Sequence, residues 1–96
     1  MSVPKRLLIC GATSAIASAA ARCSAAAHDR LFLVGRNPEK LLAVADDLRV
    51  RGAAQVETFV MDMNDIARHG MLIDECQRRL GGIDAVLIAH GTLPDQ

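Results

Sequence analysis

From Gly11 to Ala17 the chain reads Gly-Ala-Thr-Ser-Ala-Ile-Ala and continues without a break into an alanine-rich segment. Small side chains let an anion approach the backbone, and the open N–H groups at a helix start carry a partial positive charge that holds phosphate. Thr13 and Ser14 add hydroxyl donors, so Gly11, Thr13, Ser14, Ala15 and Ile16 form a candidate pyrophosphate cradle. Arg36 stands 25 residues after Gly11, near the separation of about 20 at which a dinucleotide-binding unit places its ribose-recognising residue. A carboxylate at that point would repel a 2′-phosphate, whereas a planar, permanently charged guanidinium pairs with it. Asn37 lies beside the arginine. The bland alternative is a tight turn serving packing, followed by a solvated arginine.

The remaining reactive residues form no second constellation by spacing. His28, His69 and His90 fall on different segments without the separations of metal ligands, and Ser14 has no base near it in sequence. Cys10, Cys23 and Cys76 make no Cys-x-x-Cys pair. Three cysteines cannot all be bridged within one chain, which favours free thiols and a reducing, cytoplasmic compartment.

A phosphate loop needs a strand before it and a helix after it, and the hydropathy pattern supplies both. Leu7–Cys10, Leu31–Val34 and Ala85–Ala89 are short, continuously apolar runs, the pattern of strands covered on both faces. Helical periods lie between them: Ile16, Ala20, Cys23 and Ala27 within 15–27, Leu41, Val44, Ala45 and Leu48 within 38–51, and Ile66, Ile73, Cys76 and Leu80 within 65–80. Asn37-Pro38 reads as N-cap and first helical residue, and Gly52 and Gly81 follow basic residues as helix stops. Val56–Met61 alternates around the charged Glu57 and suits an edge strand. The order βαβαβαβ predicts an α/β, Rossmann-like, doubly wound parallel sheet of about four strands and three helices in strand order 3-2-1-4. The fourth strand then becomes an open edge with the sequence of a buried centre, and either self-association through 85–89 or partial looseness there is expected.

Composition agrees with one domain over residues 1–96. Of these, 51% are hydrophobic and 23% charged, and 11 basic residues balance 11 acidic ones. That balance, with 2% aromatic residues, leaves neither a field nor stacking platforms for nucleic acid. Lys5-Arg6 before an apolar run imitates a signal sequence poorly, because Gly11, Thr13, Ser14 and Ser18 interrupt it. Arg22 and His28-Asp29-Arg30 break the long apolar tract short of the roughly 20 residues of a membrane span, so no membrane partner is expected.

Taken together, these residues resemble the short-chain dehydrogenase/reductase family. In its Thr-Gly-x-x-x-Gly-x-Gly pattern the four named places are held here by Cys10, Gly11, Ala15 and Ala17. Ser14 stands where the extended, epimerase-like branch would want glycine. The resemblance implies that Asp62 accepts from the adenine amino group with the Met63 backbone beside it. Asp84, the fourth strand and Gly91 match the frame of the Asn-Asn-Ala-Gly motif, with Ile88, Ala89 and His90 in its first three places. It implies that Ala89, His90 and Gly91 lie toward the nicotinamide ribose and that the activity is hydride transfer between a nicotinamide cofactor and a carbonyl or alcohol; Arg36 makes the expected cofactor NADP(H) rather than NAD. The family's catalytic Ser, Tyr and Lys lie beyond Gln96; no Tyr occurs in the sequence, and its lysines are Lys5 and Lys40. Residues 1–96 are therefore expected to be the nucleotide-binding part, with no catalytic set of their own. A non-enzymatic nucleotide-binding module or a structural interaction module is the alternative.

Overall fold

Apolar runs flanked by Gly, Asn and charged residues become four strands, and the periodic segments between them become helices. In a computed structural model describing residues 4–11, 15–62 and 68–88, the order is β1 (Arg6–Cys10), α1 (Ala15–Ala26), β2 (Arg30–Gly35), α2 (Pro38–Val50), β3 (Gln55–Val60), α3 (His69–Leu80) and β4 (Ala85–Ile88). All pairings are parallel and the strand order is β3-β2-β1-β4, as the doubly wound reading predicts. In register, Cys10 lies opposite Val34 and Ile88, and Val34 opposite Phe59.

Both faces of the sheet are covered. Ile9, Leu31 and Leu33 pack against Ala17, Ala21 and Ala25 of α1 and Leu41, Ala45 and Leu48 of α2. Leu8, Cys10, Phe32 and Val34 pack with Met61 against Leu72, Cys76 and Leu80 of α3. Alternate residues of β1 and β2 thus enter different cores, which is why these strands are apolar without alternation. Burial pushes the Cys10 thiol up and the Cys76 thiol to about 11, so both serve as neutral packing groups; Cys23 is exposed and all three thiols are free.

Two helical faces differ from the expected stripes. α1 presents Ala17, Ala21 and Ala25 to the sheet and leaves Ile16 75% exposed and Cys23 exposed. An alanine-rich helix is apolar nearly all round, so its pattern does not choose a face. Ala17, Ala21 and Ala25 form the i, i+4 row of smallest side chains, which lets the helix lie close to the strands. α3 buries Leu72, Cys76 and Leu80, while Ile73, one residue along, turns outward at 37% exposure. Ile66 lies outside the described residues.

Helix ends follow the expected chemistry. Asn37 Oδ1 accepts from the backbone N–H of Glu39 at 3.0 Å and of Lys40 at 3.1 Å, with Pro38 at the first helical position. α3 ends at Gly81 in the left-handed region, φ 84°, where its N–H donates to the Gln77 carbonyl.

The end of the sheet at which β1 and β4 begin is closed by an ionic clip not foreseen in the sequence. The Asp84 carboxylate accepts from Arg6 N at 2.8 Å, Nε at 3.0 Å and Nη2 at 3.1 Å, while Arg6 Nη1 donates to the Gly81 carbonyl at 2.8 Å. The guanidinium hydrogen bonds foremost, then the Arg6 backbone N–H, hold the Asp84 carboxyl at about 2, below its ordinary 3.8. A carboxylate with a lowered folded value contributes stability that is present above its ordinary range and is lost as pH falls through about 2. Asp84→Asn is therefore expected to lower the thermal midpoint at neutral pH and to flatten its dependence between about pH 4 and 2. Unfolding melts of both proteins across that range test this; parallel pH profiles would exclude the clip as a contributor.

Candidate functional site

Because the strands are parallel, the loops leaving β1, β2 and β3 emerge side by side at one sheet edge, on strands roughly 4.8 Å apart. Two backbone bonds prolong the ladder into these loops: Gly11 N donates to the Val34 carbonyl and Met61 N to the Gly35 carbonyl, each at 2.9 Å. Gly11, Arg36 and Asp62, 51 residues apart at the extremes of the sequence, are thereby placed on neighbouring strand ends.

Gly11 takes φ 74°, a conformation that β-carbon sterics make costly for other residues. It turns the chain off β1 toward α1, whose first residues Ala15 and Ile16 are exposed at this edge. Ala17 is fully buried in the core beneath α1, so the methyl in the third small-residue place is absorbed by packing. Thr13 and Ser14 lie outside the described residues, as do Met63, Ala89, His90 and Gly91. β4 is described as far as Ile88, opposite Cys10, which brings its end beside Gly11.

At the end of β2, a β-carbon on Gly35 would come within 3.2 Å of Leu41 Cδ2, so glycine permits the first turn of α2 to close onto the strand. Arg36 follows at once. It is exposed, and its guanidinium makes no hydrogen bond or ion pair with any described residue. With Asn37, Pro38, Glu39 and Lys40 it lines an open groove of about 570 Å³. The Asn37 side-chain oxygen is occupied as the α2 cap, which fixes this turn and leaves only the amide nitrogen of that side chain free to meet a ligand. Asp62 is exposed immediately after β3.

The arrangement offers the left-handed turn at Gly11 before the exposed start of α1, a permanent cation on the next strand end at Arg36, and a carboxylate one strand further at Asp62. That polarity suits an extended anionic ligand with a neutral hydrogen-bonding head. Lys40 was not singled out from the sequence. Its signal was there, because its i−4 neighbour is Arg36 and its i+4 neighbour is Val44, leaving it without the acidic partner a helical lysine usually has. Among the described residues no cluster of His, Cys, Asp and Glu could hold a metal ion, and no helix is long and apolar enough to cross a membrane.

A family model for short chain dehydrogenases matches residues 5–95. An uncharacterized oxidoreductase of Mycobacterium tuberculosis is 36% identical over 90 residues, covering 94% of this chain and 36% of that protein. An NADH-dependent reductase solved in complex with NAD superposes with a TM-score of 0.79 at 27% identity, over 88% of this chain and 35% of its own. A variant of actinorhodin polyketide ketoreductase, solved with NADPH, shares the fold with a TM-score of 0.82 at 24% identity, over 93% and 34% of the two chains. The chain spans about a third of the length of these relatives.

Proposed function

As the chain belongs to the short-chain dehydrogenase family, we propose that residues 1–96 form the adenosine-side binding part of an NADP(H)-dependent oxidoreductase. The placement of Gly11, Arg36 and Asp62 on adjacent strand ends is the observation that carries this reading. The loop starting at Gly11, with Thr13, Ser14, Ala15 and Ile16, holds the pyrophosphate against the start of α1. Arg36 takes the 2′-phosphate, with Asn37 fixing the turn that presents it. Asp62 and the Met63 backbone receive the adenine, and Ala89, His90 and Gly91 lie toward the nicotinamide ribose. The groove at Arg36 and its guanidinium, unpaired among the described residues, fit such a group. Bound NADP(H) would supply or accept the hydride exchanged with a carbonyl or alcohol substrate.

NADP rather than NAD follows from the charge at residue 36, because relatives of this fold are solved with either type of cofactor. Titration of the chain with NADP, NAD and 2′,5′-ADP tests the reading. NADP and 2′,5′-ADP binding more tightly than NAD supports it, and a folded chain that binds none of them refutes it. The three free thiols support a cytoplasmic location.

The same reading extends to β4. Val86 is 50% and Ile88 61% exposed on the face that carries Leu8 and Cys10 in the neighbouring strand, and Ala85 is exposed as well. The other edge strand is hedged by charge, with Glu57 paired to Arg79 and the Val56 carbonyl taken by Arg49. We place self-association of the chain at β4. Ile88→Lys is expected to shift sedimentation at micromolar concentration from dimer toward monomer; a wild-type chain that is monomeric throughout that range would refute the assignment.

A further inference from the structure

We infer that Lys40 is a second cation of the Arg36 groove and selects, together with Arg36, for a ligand bearing a phosphate monoester on the ribose. The inference rests on the dinucleotide-binding reading and adds a residue to it. Lys40 is the third residue of α2, capped through its own N–H by Asn37. The positive end of the helix dipole lies at this turn, so acidic residues are favoured here and a cation is opposed. Glu39 has the favoured sign; Lys40 has the wrong one. Its ammonium makes no ion pair or hydrogen bond with any described residue that would offset the repulsion. Nor does it cover the core, since the side chain is exposed.

Geometry gives the misplaced charge a use. Side chains on a helix lean toward its N-terminus, so a lysine at the third position extends back over the first turn. That turn is the wall of the groove that Arg36 also lines. A phosphate monoester carries nearly two negative charges near neutral pH, more than one guanidinium neutralises. A planar fork from Arg36 and a flexible point charge from Lys40 match such a dianion, whereas a ribose with a free 2′-hydroxyl gains nothing from the second cation.

The experiment is a calorimetric titration of the wild-type chain, Lys40→Gln and Lys40→Arg with NADP, NAD, 2′,5′-ADP and 5′-AMP, with thermal melts of each. Lys40→Gln is expected to weaken NADP and 2′,5′-ADP about fivefold, as for an exposed charge contact. NAD and 5′-AMP should be unchanged, the melting point should stay level or rise, and Lys40→Arg should restore the phosphate ligands. Equal weakening of all four ligands, a lowered melting point, or undiminished NADP affinity in Lys40→Gln overturns the role of Lys40 while leaving the cofactor reading intact. A wild-type chain that binds NADP no better than NAD overturns both.

Discussion

Replacing Arg36 by aspartate is expected to weaken NADP and 2′,5′-ADP by about 100-fold and to leave NAD as the preferred dinucleotide. A hydrogen bond to a charged group contributes about 1.5–3 kcal/mol, and each 1.4 kcal/mol is roughly a factor of ten. The aspartate also adds repulsion toward the 2′-phosphate and offers a free 2′-hydroxyl an acceptor. Solvent screens an exposed group such as Arg36, which keeps the effect near this figure rather than far above it. The fold is expected to tolerate the change, because the guanidinium touches no described partner and the α2 cap is made by Asn37. Titration of both proteins with the three ligands, alongside thermal melts, separates recognition from stability. An unchanged preference with an unchanged melt would remove Arg36 from the site, whereas Arg36→Lys should fall between the two, retaining charge without the planar fork.

The sequence made the sheet legible because each central strand is a short run apolar on both faces, and only a doubly covered parallel sheet accommodates several such runs joined by helices. Arg36 and Asp62 were legible for a related reason: each lies within two residues of the end of a strand, so topology alone carries it to the shared edge. The faces of α1 and α3 were not. In α1 nearly every candidate is alanine, and the choice between Ala17 and Ile16 is made by how closely the helix must approach the sheet, a tertiary quantity. In α3 both Leu72 and Ile73 are apolar, and the helix rotates by one residue to seat Leu72, Cys76 and Leu80 in line. The Arg6–Asp84 clip joins residues 78 apart in sequence, and neither shows its partner by spacing. Lys40 is inconspicuous in the sequence because a lysine on a helix is ordinary; what sets it apart is its place in the first turn together with the lack of a partner among the described residues.

Phe32→Ala is the substitution expected to cost most stability. Phe32 sits in the middle of β2, opposite Leu8 and Glu57, is fully buried, and lies in the core that Leu72, Cys76 and Leu80 of α3 close. Its ring centroid is 6.0 Å from that of Phe59 with the planes 31° apart, so the two aromatic side chains pack on each other across adjacent strands. Truncating such a ring to a methyl costs about 3–5 kcal/mol, through lost burial and the cavity left behind. Small domains are stable by roughly 5–15 kcal/mol in all, so most of the margin would go. The functional consequence differs from that of Arg36→Asp. β2 ends in Gly35 and Arg36, and loosening it disturbs the edge that aligns Gly11, Arg36 and Asp62, so NADP and NAD should weaken together rather than exchange rank. Phe32→Leu, which keeps most of the volume, should retain both the fold and the cofactor preference. Urea unfolding of the three proteins checks this. A loss below about 1 kcal/mol in Phe32→Ala would mean that the core beneath β2 is not what holds the site's strand ends in register.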